Sequence, residues 1–150
     1  MCQYKKEYYR TNRDKIIQDM IDRIRSNLIL RLIDNNRSRI NRALQYNSKT
    51  DHTIDLLGCS KKFFYNWIKW QLPYDMNDDK LKKSYHIDHV RPISSFDLSD
   101  SESQYDAFNL INTQPLLINK NLSKGAERDL WSEIMQELKV TVFLKLYYHL

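Results

Sequence analysis

Glycine and proline are scarce in this chain, and that scarcity narrows the folds open to it. Only two Gly and three Pro occur among 150 residues, whereas loop-rich and all-β domains use many of both in their turns. Hydrophobic residues make up 41% of the chain, with three Trp, ten Tyr and five Phe, which is enough for a core. The sequence therefore predicts a predominantly helical α+β fold, as one domain or one compact domain with a helical extension.

Positive charge is concentrated in the first third of the chain. Residues 1–50 hold 12 Lys and Arg against 5 Asp and Glu, whereas each of the other two thirds is close to −1 and the whole chain is at +5. A basic segment joined to a near-neutral body indicates that the segment meets a polyanion. Charge alone leaves open the alternative of a solvated helix face.

Cysteine content and hydropathy restrict where the protein works. Cys2 and Cys59 lie far apart and have no close cysteine partners, so they fit neither a four-cysteine zinc site nor a disulfide framework. No apolar run is long enough to span a bilayer, and the N-terminus is charged and aromatic rather than signal-like. We expect a soluble, intracellular protein in the cytoplasm or nucleus of a host cell, with no membrane partner.

Helices are predicted along the basic segment. Apolar residues recur over 12–46 at three- and four-residue steps, from Ile17 through Leu28 to Leu32, which is typical of an amphipathic helix. The asparagine-rich residues 34–36 predict a break, followed by a second helix through Leu44. A polar loop is expected over 45–51.

The next segment predicts a short aromatic helix followed by a linker. Residues 52–58 form an apolar turn that ends at Gly58, and Ser60 can cap the helix that follows. Its aromatic residues Phe63, Phe64, Trp67 and Trp70 are at helical spacing, which favours core packing over base stacking. Residues 73–83 are polar and are interpreted as a linker.

The second half predicts two strands among short helices. Residues 85–90 are β-branched and apolar enough for a strand that Pro92 ends. A short helix over 101–107, begun by Ser99 or Ser101, precedes a second strand within 110–118 that is broken at 114–115. A helix then starts at 119.

A final amphipathic helix is predicted from its apolar residues, and the secondary structure of the tail after it is left undecided. Residues 140–150 fit a helix or a strand, since their β-branched and aromatic side chains support both. The apolar residues of the helix are Leu130, Trp131, Ile134, Met135 and Leu138.

A series of polar residues around the first strand carries the strongest functional signal. Residues 85–92 read Tyr-His-Ile-Asp-His-Val-Arg-Pro, and downstream come Phe-Asp-Leu, then Asn-x-Gln-Pro-Leu from Asn112, then Asn-Leu-Ser-Lys-Gly from Asn121. The series resembles the HNH (ββα-metal) endonuclease family, in the form found in viruses, phages and mobile elements. The resemblance covers roughly residues 53–126.

The resemblance implies a strand–strand–helix core that holds one divalent metal ion and hydrolyses phosphodiester bonds. Asp88 and Asn121 match the metal ligands, His89 matches the general base, and Asn112 matches an asparagine that pins the loop and orients the base. Mg²⁺ suits this donor set, and Mn²⁺ is the alternative. Because Asp88 and His89 are neighbours on a strand, their side chains should point to opposite faces.

Further residues are candidates for contacts to metal or phosphate. His86 lies one strand period from Asp88, so it is a third ligand, a phosphate contact or a structural histidine. Arginine and lysine side chains form charge-assisted hydrogen bonds with phosphate. The candidates near the motif are Arg91, Lys120 and Lys124, and those in the basic segment are Arg37, Arg39 and Arg42.

Together these patterns predict a division of labour along the chain. Residues 1–50 form a basic helical DNA-binding arm, 51–84 an aromatic helix and linker, 85–127 the HNH core and 128–150 a C-terminal packing helix. We expect nicking of double-stranded DNA, unless the chain forms a homodimer. The alternatives are a catalytically silent nucleic-acid-binding module and a nuclease of RNA or of branched or structured nucleic acid.

Overall fold

The computed structural model describes residues 7–8, 10–45, 49 and 51–148, with the side chain of residue 82 left out. Three parts of the sequence predictions lie outside the described residues. They are the unpaired Cys2, most of the polar loop over 45–51, and the last two residues of the tail. Cys59 is free and half-buried.

Helices account for most of the described chain, and a small sheet completes it, so the predominantly helical α+β prediction is confirmed. The elements in chain order are α1 (Arg13–Ser26), α2 (Leu28–Ala43), α3 (Thr53–Leu57), α4 (Lys61–Trp70), α5 (Asp78–Ser84), β1 (Tyr85–His89), a 3₁₀ turn (Ile93–Ser95), α6 (Ser101–Phe108), a second 3₁₀ turn (Leu110–Asn112), β2 (Thr113–Leu117), α7 (Ile118–Lys124) and α8 (Leu130–Tyr148).

The two strands pair antiparallel, and α7 follows β2 without a loop. The register runs from Tyr85 opposite Leu117 to His89 opposite Thr113. The predicted break at 114–115 is wrong, because Pro115 lies within β2 opposite Ile87. In the described part of the chain β2 has one strand neighbour, and an edge strand tolerates a residue that cannot donate a hydrogen bond.

The predicted helix break at 34–36 is also wrong. α2 runs through these residues, and the interruption lies at Asn27, which has an extended backbone and whose side chain accepts a hydrogen bond from the Leu30 amide at 3.2 Å. A side-chain acceptor at this position satisfies an amide that the new helix leaves free, so Asn27 begins α2. Asn36 instead lies on the buried side of α2.

Side-chain caps explain the starts of three shorter helices. Ser60 caps α4 as predicted, by accepting from the Phe63 amide. The predicted linker contains α5, which Asn77 caps by accepting from the Lys80 amide at 2.8 Å. Asp100, rather than Ser99 or Ser101, caps α6. In each case a short polar side chain occupies an extended position just before the helix.

The two helices of the basic segment differ in burial. α1 contains no buried residue, and Ile17 and Met20 of the predicted stripe are exposed. α2 contributes to both apolar clusters of the molecule: Leu28 and Leu32 join one that contains most of the α4 aromatics, and Ile40 joins the other. The stripe is therefore buried only from Leu28 onward.

α8 packs through a different face from the predicted one. It is a single helix through Tyr148, and Gln136 and Phe143 are its buried residues. The five apolar residues that the sequence assigns to the packed face are all exposed. Among the described residues, no helix combines the length and apolarity that crossing a membrane requires.

Candidate active site

A buried ion pair joins β1 to α7. Lys124 Nζ lies 2.7 Å from Asp88 Oδ2, and both side chains are largely buried. Gln114, opposite Asp88 in the sheet, donates from Nε2 to the same oxygen at 3.2 Å. Lys124 also donates to the carbonyl of His89. The Asp88 carboxylate is thus balanced by a cation and held by a neutral donor.

A second contact between the same two elements involves His86 and Asn121. Asn121 Nδ2 lies 3.0 Å from His86 Nδ1. His86 and Asp88 are two residues apart on a strand, and Asn121 and Lys124 are three apart on a helix, so each pair shares a face. The side of β1 that faces α7 therefore brings together three predicted metal-site residues, namely Asp88, Asn121 and His86.

His89 has a different environment. Its side chain is buried, and its ring is edge-on to Phe108 with centroids 6.3 Å apart. Its Nε2 is enclosed and receives no hydrogen bond from any described residue. Burial lowers the pKa of His89 to about 4, and the positive charges of Arg39 and Lys124 act in the same direction against the opposing effect of Asp88. The imidazole is therefore neutral at pH 7.

α2 reaches this site through Arg39. Burial lowers the pKa of the guanidinium, the negative charge of Asp88 raises it, and Arg42 lowers it. Two cations, Arg39 and Lys124, thus act electrostatically on His89, against the single carboxylate of Asp88. Positive charge therefore outweighs negative charge in the surroundings of His89.

Asn112 holds the end of β1 to the turn before β2. Its Oδ1 accepts from the Arg91 amide at 2.8 Å, and its Nδ2 donates to the carbonyls of Arg91 at 3.1 Å and Ala107 at 3.0 Å. Asn109 caps the adjacent 3₁₀ turn instead. Three hydrogen bonds from one buried amide fix the chain immediately after His89, which is the loop-pinning geometry expected of Asn112.

The three predicted phosphate contacts near the motif differ in their exposure and in their partners. Arg91 hydrogen-bonds to Ser95 through its guanidinium, which lies 4.0 Å from the centroid of the Phe96 ring. Lys120 is exposed, whereas Lys124 points inward to Asp88. Of these three cations, Lys120 extends furthest into solvent.

The three arginines predicted on the basic segment also differ. Arg37 is exposed and forms an ion pair with Asp34 on its own helix. Arg39 and Arg42 lie on the side of α2 that faces β1. The structure therefore separates one outward arginine from two that border the same space as the strand.

The donor set at Asp88 fits a divalent cation. The described residues contain no cluster of three or more His, Cys, Asp and Glu side chains that could hold a metal ion. Mg²⁺ needs fewer protein ligands than that, since it keeps several waters and takes one or two carboxylates together with substrate phosphate. Asp88 is a buried carboxylate already balanced by positive charge, and Asn121 adds an amide oxygen nearby, so both are suitable ligands.

The sequence predictions did not identify two residues of this region. Gln114 supports Asp88, and a register for the two strands would have placed it opposite. Asn36 is almost fully buried on α2, and neither atom of its amide has a hydrogen-bond partner among the described residues. Continuing the four-residue steps from Leu28 and Leu32 would have identified its position.

Similar proteins come from a giant virus. One uncharacterized protein of Acanthamoeba polyphaga mimivirus is 37% identical over 111 residues, which are 73% of this chain and 48% of that protein. Another from the same virus is 29% identical over 128 residues, 85% of this chain and 53% of that protein. No protein-family model matches the chain, and no solved structure matches it significantly. The chain spans about half the length of these relatives, and they are viral proteins.

Proposed function

We propose that this chain is a divalent-metal-dependent endonuclease of the HNH (ββα-metal) type that hydrolyses phosphodiester bonds of DNA. One observation supports the proposal: consecutive residues of β1 provide a buried carboxylate that pairs with a cation and an imidazole that is kept neutral with a free Nε2. Phosphodiester hydrolysis needs both, a site of positive charge for the phosphate and a base for water.

The residues have distinct tasks in this reaction. His89 accepts a proton from the attacking water at Nε2, and Asn112 fixes the backbone beside it. Asp88 and Asn121 would hold the metal ion, which when bound would supply positive charge for the phosphate and for the leaving oxygen. Because Nε2 is enclosed, a neighbouring side chain must move before water reaches it.

The described residues contain one such site, so a single chain should nick duplex DNA rather than cut both strands. Cutting both strands requires two events or two chains acting together, as in a homodimer. The viral origin of the relatives supports a role for the enzyme in viral DNA metabolism.

The test is conversion of supercoiled plasmid to the open circle with Mg²⁺, Mn²⁺ or EDTA. We expect metal-dependent nicking, and His89→Ala should reduce its rate by at least about 100-fold, the contribution usual for a general base. His52→Ala is the matched control, because His52 is an exposed histidine outside the site. Equal rates for the wild-type protein and His89→Ala would exclude His89 as the base.

A second candidate is a nucleic-acid-binding module without catalytic activity. The observation that favours it is the Lys124 ammonium at 2.7 Å from Asp88 Oδ2, since a bound metal would have to share that oxygen or displace the lysine. Plasmid binding with no cleavage in either metal, on supercoiled, single-stranded and branched DNA alike, would support this candidate.

A further inference from the structure

A groove of about 400 Å³ lies between α2 and the start of β1. It adjoins the contact between β1 and α7 that holds Asp88, since His86 belongs to both. Its polar and aromatic lining comes from both elements and includes Arg31, Asn36, Arg39, Arg42, Tyr85 and His86.

The charge of the groove is positive. Three arginines line it, and no Asp or Glu is among the described residues of its wall. Arg37 lies on the same helix but outside the groove, and it is paired with Asp34. Helix α2 therefore presents three arginines to this concave surface, which suits a ligand that carries several negative charges.

Asn36 indicates that the ligand also offers hydrogen-bonding groups. Its side chain is 2% exposed, and its Oδ1 and Nδ2 both lack partners in the described part of the protein. Leaving a buried polar group without a partner costs about 1–3 kcal/mol. Leu28, Leu32 and Ile40 occupy equivalent positions on the helix, so an apolar residue would have been the stable choice. A ligand with both a donor and an acceptor would satisfy the amide.

The dimensions of the groove select an unpaired strand. A cavity of this volume has room for about one nucleotide, whereas a duplex presents grooves that themselves admit an α-helix. Sites for single strands combine a basic groove with aromatic side chains on which bases stack. Tyr85 supplies such a ring, half-buried at the wall of the groove.

The groove leads to the candidate active site. Arg39 lines it and acts electrostatically on both Asp88 and His89. A strand that lies against Arg31, Arg42 and Arg39 would therefore approach the proposed catalytic residues. The groove and the site share one cation at their border.

We propose that the groove between α2 and β1 binds a nucleotide of an unpaired DNA segment, with its phosphates on the arginines and its base hydrogen-bonded to Asn36. This inference rests on the proposed nuclease function for its substrate class. It makes DNA with a single-stranded region next to the cut site the preferred substrate, over continuous duplex.

The test is fluorescence anisotropy with a labelled single strand of about 12 nucleotides, within the range that single-strand grooves cover, and with the duplex of the same sequence. EDTA is present throughout, so binding is measured without cleavage. We expect the full chain to bind the single strand at least about tenfold more tightly than the duplex. Equal or tighter binding of the duplex would overturn the proposal.

Two arginine variants localise the binding. Arg42→Ala should weaken binding of the single strand about five- to tenfold, as the loss of one phosphate contact does. Arg37→Ala removes the same charge from the same helix outside the groove and should change the affinity by less than about twofold. Equal losses in the two variants would show that charge alone, and not the groove, is responsible.

Asn36→Leu separates a structural role from a binding role. It should raise the melting temperature, because an apolar side chain replaces an unpartnered amide, and it should lower the affinity for the single strand. A higher melting temperature with unchanged affinity would remove Asn36 from the site. Cleavage is an independent readout: its absence with Mg²⁺ and Mn²⁺ on plasmid, single-stranded and branched DNA alike, with intact single-strand binding, would refute the nuclease and leave the groove standing.

Discussion

The two faces of β1 differ in charge: one holds a charged carboxylate, and the other, one residue further on, holds a neutral imidazole. On the face towards α7, Asp88 is charged and is balanced by Lys124 and Gln114. On the other side, His89 lies against Phe108 with a free Nε2 and a pKa lowered to about 4. Strand alternation gives neighbouring residues these separate environments.

The difference shows how a carboxylate and a base can coexist in one small site. A carboxylate that hydrogen-bonds an imidazole favours the protonated ring and so removes the base. Here the effect of Asp88 on the pKa of His89 is opposed by burial, Arg39 and Lys124. The α7 face keeps its charge by pairing, and the opposite face keeps its neutrality by desolvation.

The largest effect should come from removing the charge on the α7 face. Asp88→Ala leaves the Lys124 ammonium largely buried without its anion, and we expect the unfolding free energy to fall by about 3–5 kcal/mol. Urea denaturation measures this. A loss below about 1 kcal/mol would mean that the ammonium relocates to solvent, and that the contrast between the faces is weaker than described.

Removing the cation instead should make the protein respond to metal. Lys124→Met leaves the Asp88 carboxylate without its nearest positive charge and should cost about 2–3 kcal/mol in EDTA. Millimolar Mg²⁺ should restore more stability to this variant than it adds to the wild-type protein, because Lys124 no longer competes for the carboxylate. An equal Mg²⁺ effect in both proteins would argue against a cation site at Asp88.

The neutral state of His89 should make the free energy of unfolding depend on pH. His89 has a pKa of about 4 in the folded chain and about 6.5 when unfolded, so between these values the unfolded chain binds a proton that the folded chain does not. The stabilisation is present above pH 6.5 and is lost as the pH falls towards 4.

Urea titrations in EDTA at pH 7 and pH 5 measure this loss. The wild-type protein should lose about 2 kcal/mol more than His89→Gln over the interval. The comparison with the variant removes the contribution of the carboxylates, which titrate in both proteins. Parallel pH profiles would show that His89 is not desolvated as the structure indicates.

The smallest effect should come from the neutral donor on the α7 face. Gln114→Leu removes one hydrogen bond to Asp88 but leaves the ion pair with Lys124 in place, and it should cost about 1 kcal/mol. Thermal or urea unfolding of this variant and of Lys124→Met compares how much each donor contributes to stability. A cost equal to that of the lysine variant would mean that hydrogen bonding, rather than charge, holds Asp88.

Local sequence signals predicted the strand that carries the motif and the start of α4. Ser60 and Gly58 mark the bounds of neighbouring helices because their effects depend on adjacent residues only. The alternation of Asp88 and His89 followed in the same way from strand geometry. These features needed no knowledge of distant contacts.

Long-range packing decided what the sequence could not. Residues 34–36 look like a break because asparagine is a poor helix former, yet α2 continues through them since Leu32 and Ile40 are buried on either side. The apolar residues of α8 predict a packed face, but the helix contacts the body through Gln136 and Phe143. The inward orientation of Lys124 likewise depends on where α7 docks.

The placement of α2 has a consequence for how such a protein can evolve. Leu28, Leu32 and Ile40 belong to the same apolar clusters as the helices around the sheet, while three of its arginines line the groove. A recombination event near residue 50 would therefore remove buried residues from both clusters together with the basic helix. Specificity in this lineage can change by point substitution along one face of α2, but not by exchange of that helix as a separate module.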